Sequence, residues 1–224
     1  MQISLRPILF DLDGTLIHSI PDLTIALNIL FERHNHPKVT DNDVATWVGD
    51  GAKALVMRAL QTHTPPQTLD TLTAEFIEIY SRAPAAHTRP YQGVMETLAL
   101  LQAKGHPLAV VTNKPEQPTH LILRQLGLDH FFDVVIGGDT TAERKPSTLP
   151  LQTALAALQK HHDIAPNAAI MVGDSRNDII PAKELGLIAI SVAFGYGHLC
   201  AADQALSDYH ITNFANICPI IDNL

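Results

Sequence analysis

The sequence predicts an α/β protein: a parallel sheet wrapped by helices, with an all-helical segment inserted after its first strand. Three observations lead there. A short apolar run, Ile8, Leu9 and Phe10, stops abruptly at Asp11, and Asp13, Gly14 and Thr15 follow. From Ile20 to Arg82 the apolar residues recur at helical spacing with no strand signal. From Gly93 onward helical stretches alternate with short buried runs, as in strands joined by crossover helices.

Each element has its own signal. The run 7–11 reads as a buried strand, and it must share a sheet with later strands because one strand cannot stand alone. Leu23, Ala26, Leu27, Leu30 and Phe31 predict a helix over 20–33. Thr40 and Asp41 open a second helix through Val48, which the glycines of Gly49-Asp50-Gly51 end. Leu55, Val56, Ala59 and Leu60 predict a third over 52–60. Pro65-Pro66 is a break, and Leu69, Leu72, Phe76 and Ile79 predict a fourth over 68–81. Residues 83–90, APAAHTRP, read as a linker. Then come helix 94–104, strand 107–112, helix 117–126, strand 133–136, helix 148–161, strand 168–172, helix 176–185 and strand 187–192. Tyr209-His210-Ile211 suggests an edge strand, and 213–222 a last helix.

Composition narrows the function. The chain of 224 residues accommodates one large domain or a core plus a smaller insert. Lys and Arg total 15 against 23 Asp and Glu, a net charge of −8 with no basic stripe, which argues against nucleic acid as a partner. No run approaches the length of a membrane span, and the first apolar run leads straight into acids, unlike a signal peptide. Two cysteines, Cys200 and Cys218, form no CxxC, so a reducing cytoplasm is the expected setting.

The chemistry collects at predicted strand ends. Asp11 and Asp13, at i and i+2, project from one face of an extended chain. Like charges that close repel unless a cation offsets them, and Mg²⁺ suits a few carboxylates plus phosphate oxygens. Gly14 lets the backbone turn and approach a ligand. Strand 107–112 runs into Thr112-Asn113-Lys114, which supplies a hydroxyl and an amide. Lys145 sits in a loop, and strand 168–172 leads to Asp174 and Asp178. In an open parallel sheet these positions converge on one crevice. The set suits phosphoryl transfer: a carboxylate nucleophile, a second carboxyl as acid and base, donors for the equatorial oxygens and a metal. A phospho-accepting signalling domain would use similar groups, but with its phosphorylated Asp mid-sheet instead of on the first strand.

On these motifs the chain resembles the haloacid dehalogenase superfamily phosphatases with a helical cap. FDLDGTLIHSIPDL, WVGDGAKALVMRAL, TRPYQGV, VVTNKP, KPSTLPL and MVGDSRND are similar to stretches of the bacterial phosphoglycolate phosphatases. The resemblance implies a Rossmann-like core from 1–16 and 87–224, with a cap from 17–86. It implies Mg²⁺-dependent hydrolysis of a small phosphorylated metabolite by a monomer or homodimer. The foremost candidate is 2-phosphoglycolate; another small phosphate ester, such as N-acetylmuramic acid 6-phosphate or another sugar phosphate, is the alternative, and a phosphonoacetaldehyde hydrolase a more distant one. Asp11 becomes the nucleophile, Asp13 the acid and base, Thr112 and Asn113 the phosphoryl holders, and Lys145 their counter-charge. Asp11, Asp13, Asp174 and Asp178 become the metal's surroundings, while Gly14 and Thr15 border the substrate. Where the family often has Asp in GTLxDS this chain has His18. For the cap, the expectation is that Gly51 and the adjacent Lys53 meet the substrate's carboxylate.

Overall fold

The computed structural model describes residues 5–61, 66–197 and 199–224. The first strand, β1 (Ile8–Phe10), is entirely buried. The short β2 (Ile17–His18) follows, then four helices: α1 (Ile20–Arg33), α2 (Asp41–Trp47), α3 (Ala52–Leu60) and α4 (Pro66–Arg82). After β3 (Arg89–Pro90) come α5 (Val94–Ala103), β4 (Leu108–Val111), α6 (Glu116–Gln125), β5 (Val134–Ile136) and α7 (Leu149–Leu158). The chain ends with β6 (Ile170–Gly173), α8 (Arg176–Glu184), β7 (Ile188–Val192), α9 (Ala201–Gln204), β8 (Tyr209–Ile211) and α10 (Ile217–Asp222).

Six strands form one parallel sheet in the order β5-β4-β1-β6-β7-β8. The period of two along each strand divides its side chains between the faces. Ile8 and Phe10 join an apolar cluster with α5, α6 and α10, whereas Leu9 joins Ala109, Val111 and Met171 under α7 and α8. A sheet covered on both faces explains why its strands read as unbroken apolar runs. The chain leaves β1 toward β4 on one side and later crosses to β6 on the other. That reversal opens a crevice beyond the carboxyl ends of β1, β4 and β6.

The helical insert begins and ends at one place. β2 and β3 pair antiparallel, Ile17 with Pro90 and His18 with Arg89. Beside them the buried Asp22 carboxylate accepts from the His87 and Thr88 amides and, at 2.7 Å, from the Thr88 hydroxyl. Within 83–90, expected as a linker, the last two residues, Arg89 and Pro90, are paired. α1 packs on α4 and α2, α3 on α4, and α4 reaches α6 of the core. The expected helix over 213–222 is broken: a 3₁₀ turn, Phe214–Asn216, precedes α10. α4 starts two residues before its expected position, and Pro65, the other half of the expected break, lies outside the described residues.

Candidate active site

The crevice is built from the strand ends upward. Asp11 continues β1 by one hydrogen bond, its amide donating to Val172 O at 2.9 Å. The backbone then coils: Leu12 O accepts from the amides of Thr15, Leu16 and Ile17, and the Gly14 amide donates to Ile17 O. Gly14 has φ +86°, and any Cβ there would collide with the Asp174 carboxylate. Only glycine permits this turn so close to the acids. Thr15, expected at the substrate's edge, is fully buried with its hydroxyl unpartnered, and it does not line the crevice.

Lys145 is the hub of the buried charges. Its ammonium donates to Val111 O and Asp178 Oδ1, both at 2.6 Å, and stands 3.0 Å from Asp11 Oδ1. The latter contact is an ion pair outside hydrogen-bonding geometry, so Asp11 Oδ1 is a buried acceptor with no hydrogen bond. Burial pushes the Asp11 carboxyl up to about 6; Lys145 opposes the rise and Asp178 adds to it. Asp174 is also pushed up, by burial first and then by Asp11 and Asp178, although the Tyr196 and Gly197 amides each donate to its Oδ2 at 2.9 Å.

Asp11, Asp174 and Asp178 offer oxygens within 4.8 Å of one another. A hard divalent cation fits this place: the donors are all oxygens, one is an orphaned buried acceptor, and neighbouring carboxylates add to the rise that burial imposes on the Asp11 and Asp174 carboxyls. Asp178 is less available than its neighbours. Its Oδ1 takes Lys145, and its Oδ2 takes the Ser175 amide and hydroxyl, closing a capping box on α8. Its geometry serves Lys145 and the helix start.

Across the crevice, Asp13 accepts from the Ser19 hydroxyl at 2.5 Å and from the Lys114 ammonium at 3.1 and 2.9 Å. Lys114 also stands 4.6 Å from the Tyr80 ring centroid. Lys114, to which the sequence alone assigns no role, thus joins Thr112 and Asn113 at this strand end. Thr112 Oγ1 accepts from the Lys114 amide. Both donors of the Asn113 side chain are committed, to Gly49 O and Lys145 O at 3.0 Å each, so this amide ties the insert to the lysine loop.

The insert forms the roof. Gly49 O also accepts from Asn177, which donates to Asp50 Oδ1 at 2.8 Å. Burial pushes the Asp50 carboxyl up, but hydrogen bonds from Asn177 and Arg58 outweigh it and hold it below its ordinary value. Asp11, Asp13, Thr112, Asn113 and Lys114 line the floor, while Gly51 and apolar side chains from α1, α3 and α4 line the roof. Lys53, expected here, is absent from this lining and pairs with Asp70 at 2.5 Å on a half-exposed surface. His18 is exposed, near the rings of Tyr91 and Tyr196.

A parallel sheet with acids at its central strand end, a buried lysine beside them and a helical insert above defines a hydrolase class. The family model described as haloacid dehalogenase-like hydrolase matches residues 8–192, and the chain belongs to that family. It is accordingly a hydrolytic enzyme, of the phosphatase kind. A phosphoglycolate phosphatase of Neisseria meningitidis serogroup A is 39% identical over 203 residues, spanning 89% of this chain and 85% of the relative. One from Haemophilus influenzae is 34% identical, spanning 99% of this chain and 100% of its own. The crystal structure of a predicted phosphoglycolate phosphatase from Haemophilus somnus 129PT superposes with a TM-score of 0.88 at 32% identity, covering 98% of this chain and 99% of the other. Among the described residues no helix is long and apolar enough to cross a membrane.

Proposed function

We propose that this enzyme is a divalent-metal-dependent phosphomonoesterase working through an aspartyl-phosphate, with 2-phosphoglycolate as substrate. Residues 1–16 and 87–224 are the catalytic core in this reading, and 17–86 the cap. The observation that carries it is the pairing of Asp11, held by Lys145, with Asp13 on the same crevice floor. The relatives' shared name supports the substrate.

In the first step an Asp11 carboxylate oxygen attacks phosphorus in line with the ester oxygen. The P–O ester bond breaks and Asp13 gives its proton to the departing alkoxide. In the second step Asp13, now a carboxylate, takes a proton from water as that water attacks phosphorus, releasing phosphate and regenerating Asp11. The Thr112 hydroxyl holds a phosphoryl oxygen, and Lys145 offsets the charge on Asp11. Asp11, Asp174 and the Asp13 backbone carbonyl would hold the metal, with Asp178 behind them steadying Lys145. Bound there, Mg²⁺ would neutralise charge on the phosphoryl oxygens. The apolar roof excludes water during attack.

The test is release of inorganic phosphate from a panel of small esters, with and without EDTA. Hydrolysis of 2-phosphoglycolate ahead of sugar phosphates, lost in EDTA and restored by Mg²⁺, is the expected result. Turnover undiminished after verified metal removal overturns the metal assignment, and a sugar phosphate ranking first overturns the substrate.

A further inference from the structure

The crevice holds one positive charge that the two-step chemistry does not use. Lys114 is buried, with a side chain 5% exposed. Its hydrogen bonds from the ammonium all go to Asp13 among the described residues, leaving donor capacity over. Directly beside it, Tyr80 arrives from α4 with its hydroxyl buried and without a hydrogen-bond partner. Both side chains line the crevice, and Lys114 is the sole cation among its described lining residues. Much of the remaining surface is apolar, including Leu23, Val48, Leu55 and Phe76.

We propose that Lys114 and Tyr80 together form the subsite for a carboxylate carried by the substrate itself, so that selectivity for acidic phosphate esters lies at the end of β4 and on α4 instead of at Lys53. This rests on the phosphatase reading given above. A carboxylate entering an apolar crevice beside Asp11 and Asp13 loses hydration and meets like charge, so it needs a cation and a donor there. In 2-phosphoglycolate the carboxylate is bonded to the carbon that bears the ester oxygen. With Asp13 beside that oxygen, the carboxylate falls next to Asp13, where the Lys114 ammonium stands. The ammonium donates to Asp13 and to the substrate at once, and the Tyr80 hydroxyl supplies a second hydrogen bond. No bond is made or broken in this step.

Two esters of equal chain length separate the roles: 2-phosphoglycolate and ethyl phosphate, which has a methyl group where the other has its carboxylate. The wild-type enzyme should favour phosphoglycolate in kcat/KM by at least about tenfold, the worth of one charge-assisted hydrogen bond. Lys114→Met should cut that preference by roughly ten- to a hundredfold, mainly through KM. Tyr80→Phe, which removes only an oxygen, should cut it by about threefold or more, while Lys53→Met should keep it. Equal losses on both esters in Tyr80→Phe and Lys114→Met would mean that the pair serves Asp13 or packing, and the subsite fails. If Lys114→Met does not fold, Tyr80→Phe decides by the same ratio. A wild-type enzyme that hydrolyses both esters equally overturns the subsite and leaves the phosphatase reading standing. Hydrolysis of neither overturns both.

Discussion

Replacing Asp11 by Asn removes one charge from the buried acid group while keeping its shape. The Asp11 carboxyl titrates near 6 in the folded protein against 3.8 for the free group, because burial outweighs the attraction of Lys145. A raised pKa means that the folded state binds this proton more tightly than the unfolded chain does. Its stabilising contribution is therefore full below the unfolded value of 3.8 and is lost as pH climbs through about 6. Two pKa units correspond to about 3 kcal/mol, absent at pH 7.5 and present at pH 4. Asn resembles the protonated acid at every pH. Metal-free Asp11→Asn should thus be more stable than metal-free wild type at pH 7.5 by about 3 kcal/mol, with the difference shrinking toward pH 4. For a chain of this length that is roughly 6–12 °C in a thermal melt recorded in EDTA. Added Mg²⁺ should raise the wild-type melting temperature and narrow the gap, since the proposed function has it bind the folded state with Asp11 among its ligands. The same substitution should remove turnover by several decades. A variant that melts at or below wild type in EDTA at pH 7.5 would refute the claim that uncompensated charge resides at this carboxylate.

Three further outcomes follow from the same geometry. Asp13→Ala should phosphorylate Asp11 when the leaving group is an activated aryl alcohol and then stall, giving a burst of about one equivalent in quenched flow; steady turnover would remove Asp13 from the second step. Lys145→Met should destabilise the protein by about 3–5 kcal/mol in urea, because Asp178, Asp11 and Val111 O lose a shared buried cation; a change under about 1 kcal/mol would contradict the hub. Asn177→Ala should raise KM for 2-phosphoglycolate and ethyl phosphate by a similar factor, roughly two- to tenfold, since it unties the roof without touching the subsite; a change confined to one ester would show that Asn177 reads the substrate.

Much of this arrangement was legible because its causes are local. The sheet strands announce themselves by apolar runs that end in acids, and α1 by four turns of apolar spacing that begin after Ser19. β2 and β3 were not, since two residues carry no period and their pairing joins positions far apart in the chain. Lys114 escaped notice for the same reason: its partner Asp13 lies 101 positions away, and nothing near Lys114 signals the pair. Lys53 was misplaced because a loop beside a cation looks like an anion site until α4 sets Asp70 within its reach. Asp178 could have been read more closely. Ser175-Arg176-Asn177-Asp178 has the spacing of a capping box, a signal that this carboxylate is engaged at a helix start before any metal is considered.

The two-residue ladder between β2 and β3 has a consequence for how sequences of this kind can change. By bringing Ser19 and Thr88 to neighbouring points, it makes everything between them a single excursion from one spot on the core. The entropy needed to close such an excursion grows only with the logarithm of its length, about 0.6 kcal/mol for each doubling. Exchanging the excursion for a shorter or longer one thus leaves the sheet's own assembly nearly untouched. The roof over the acids can be rewritten as a unit, while the floor keeps its register.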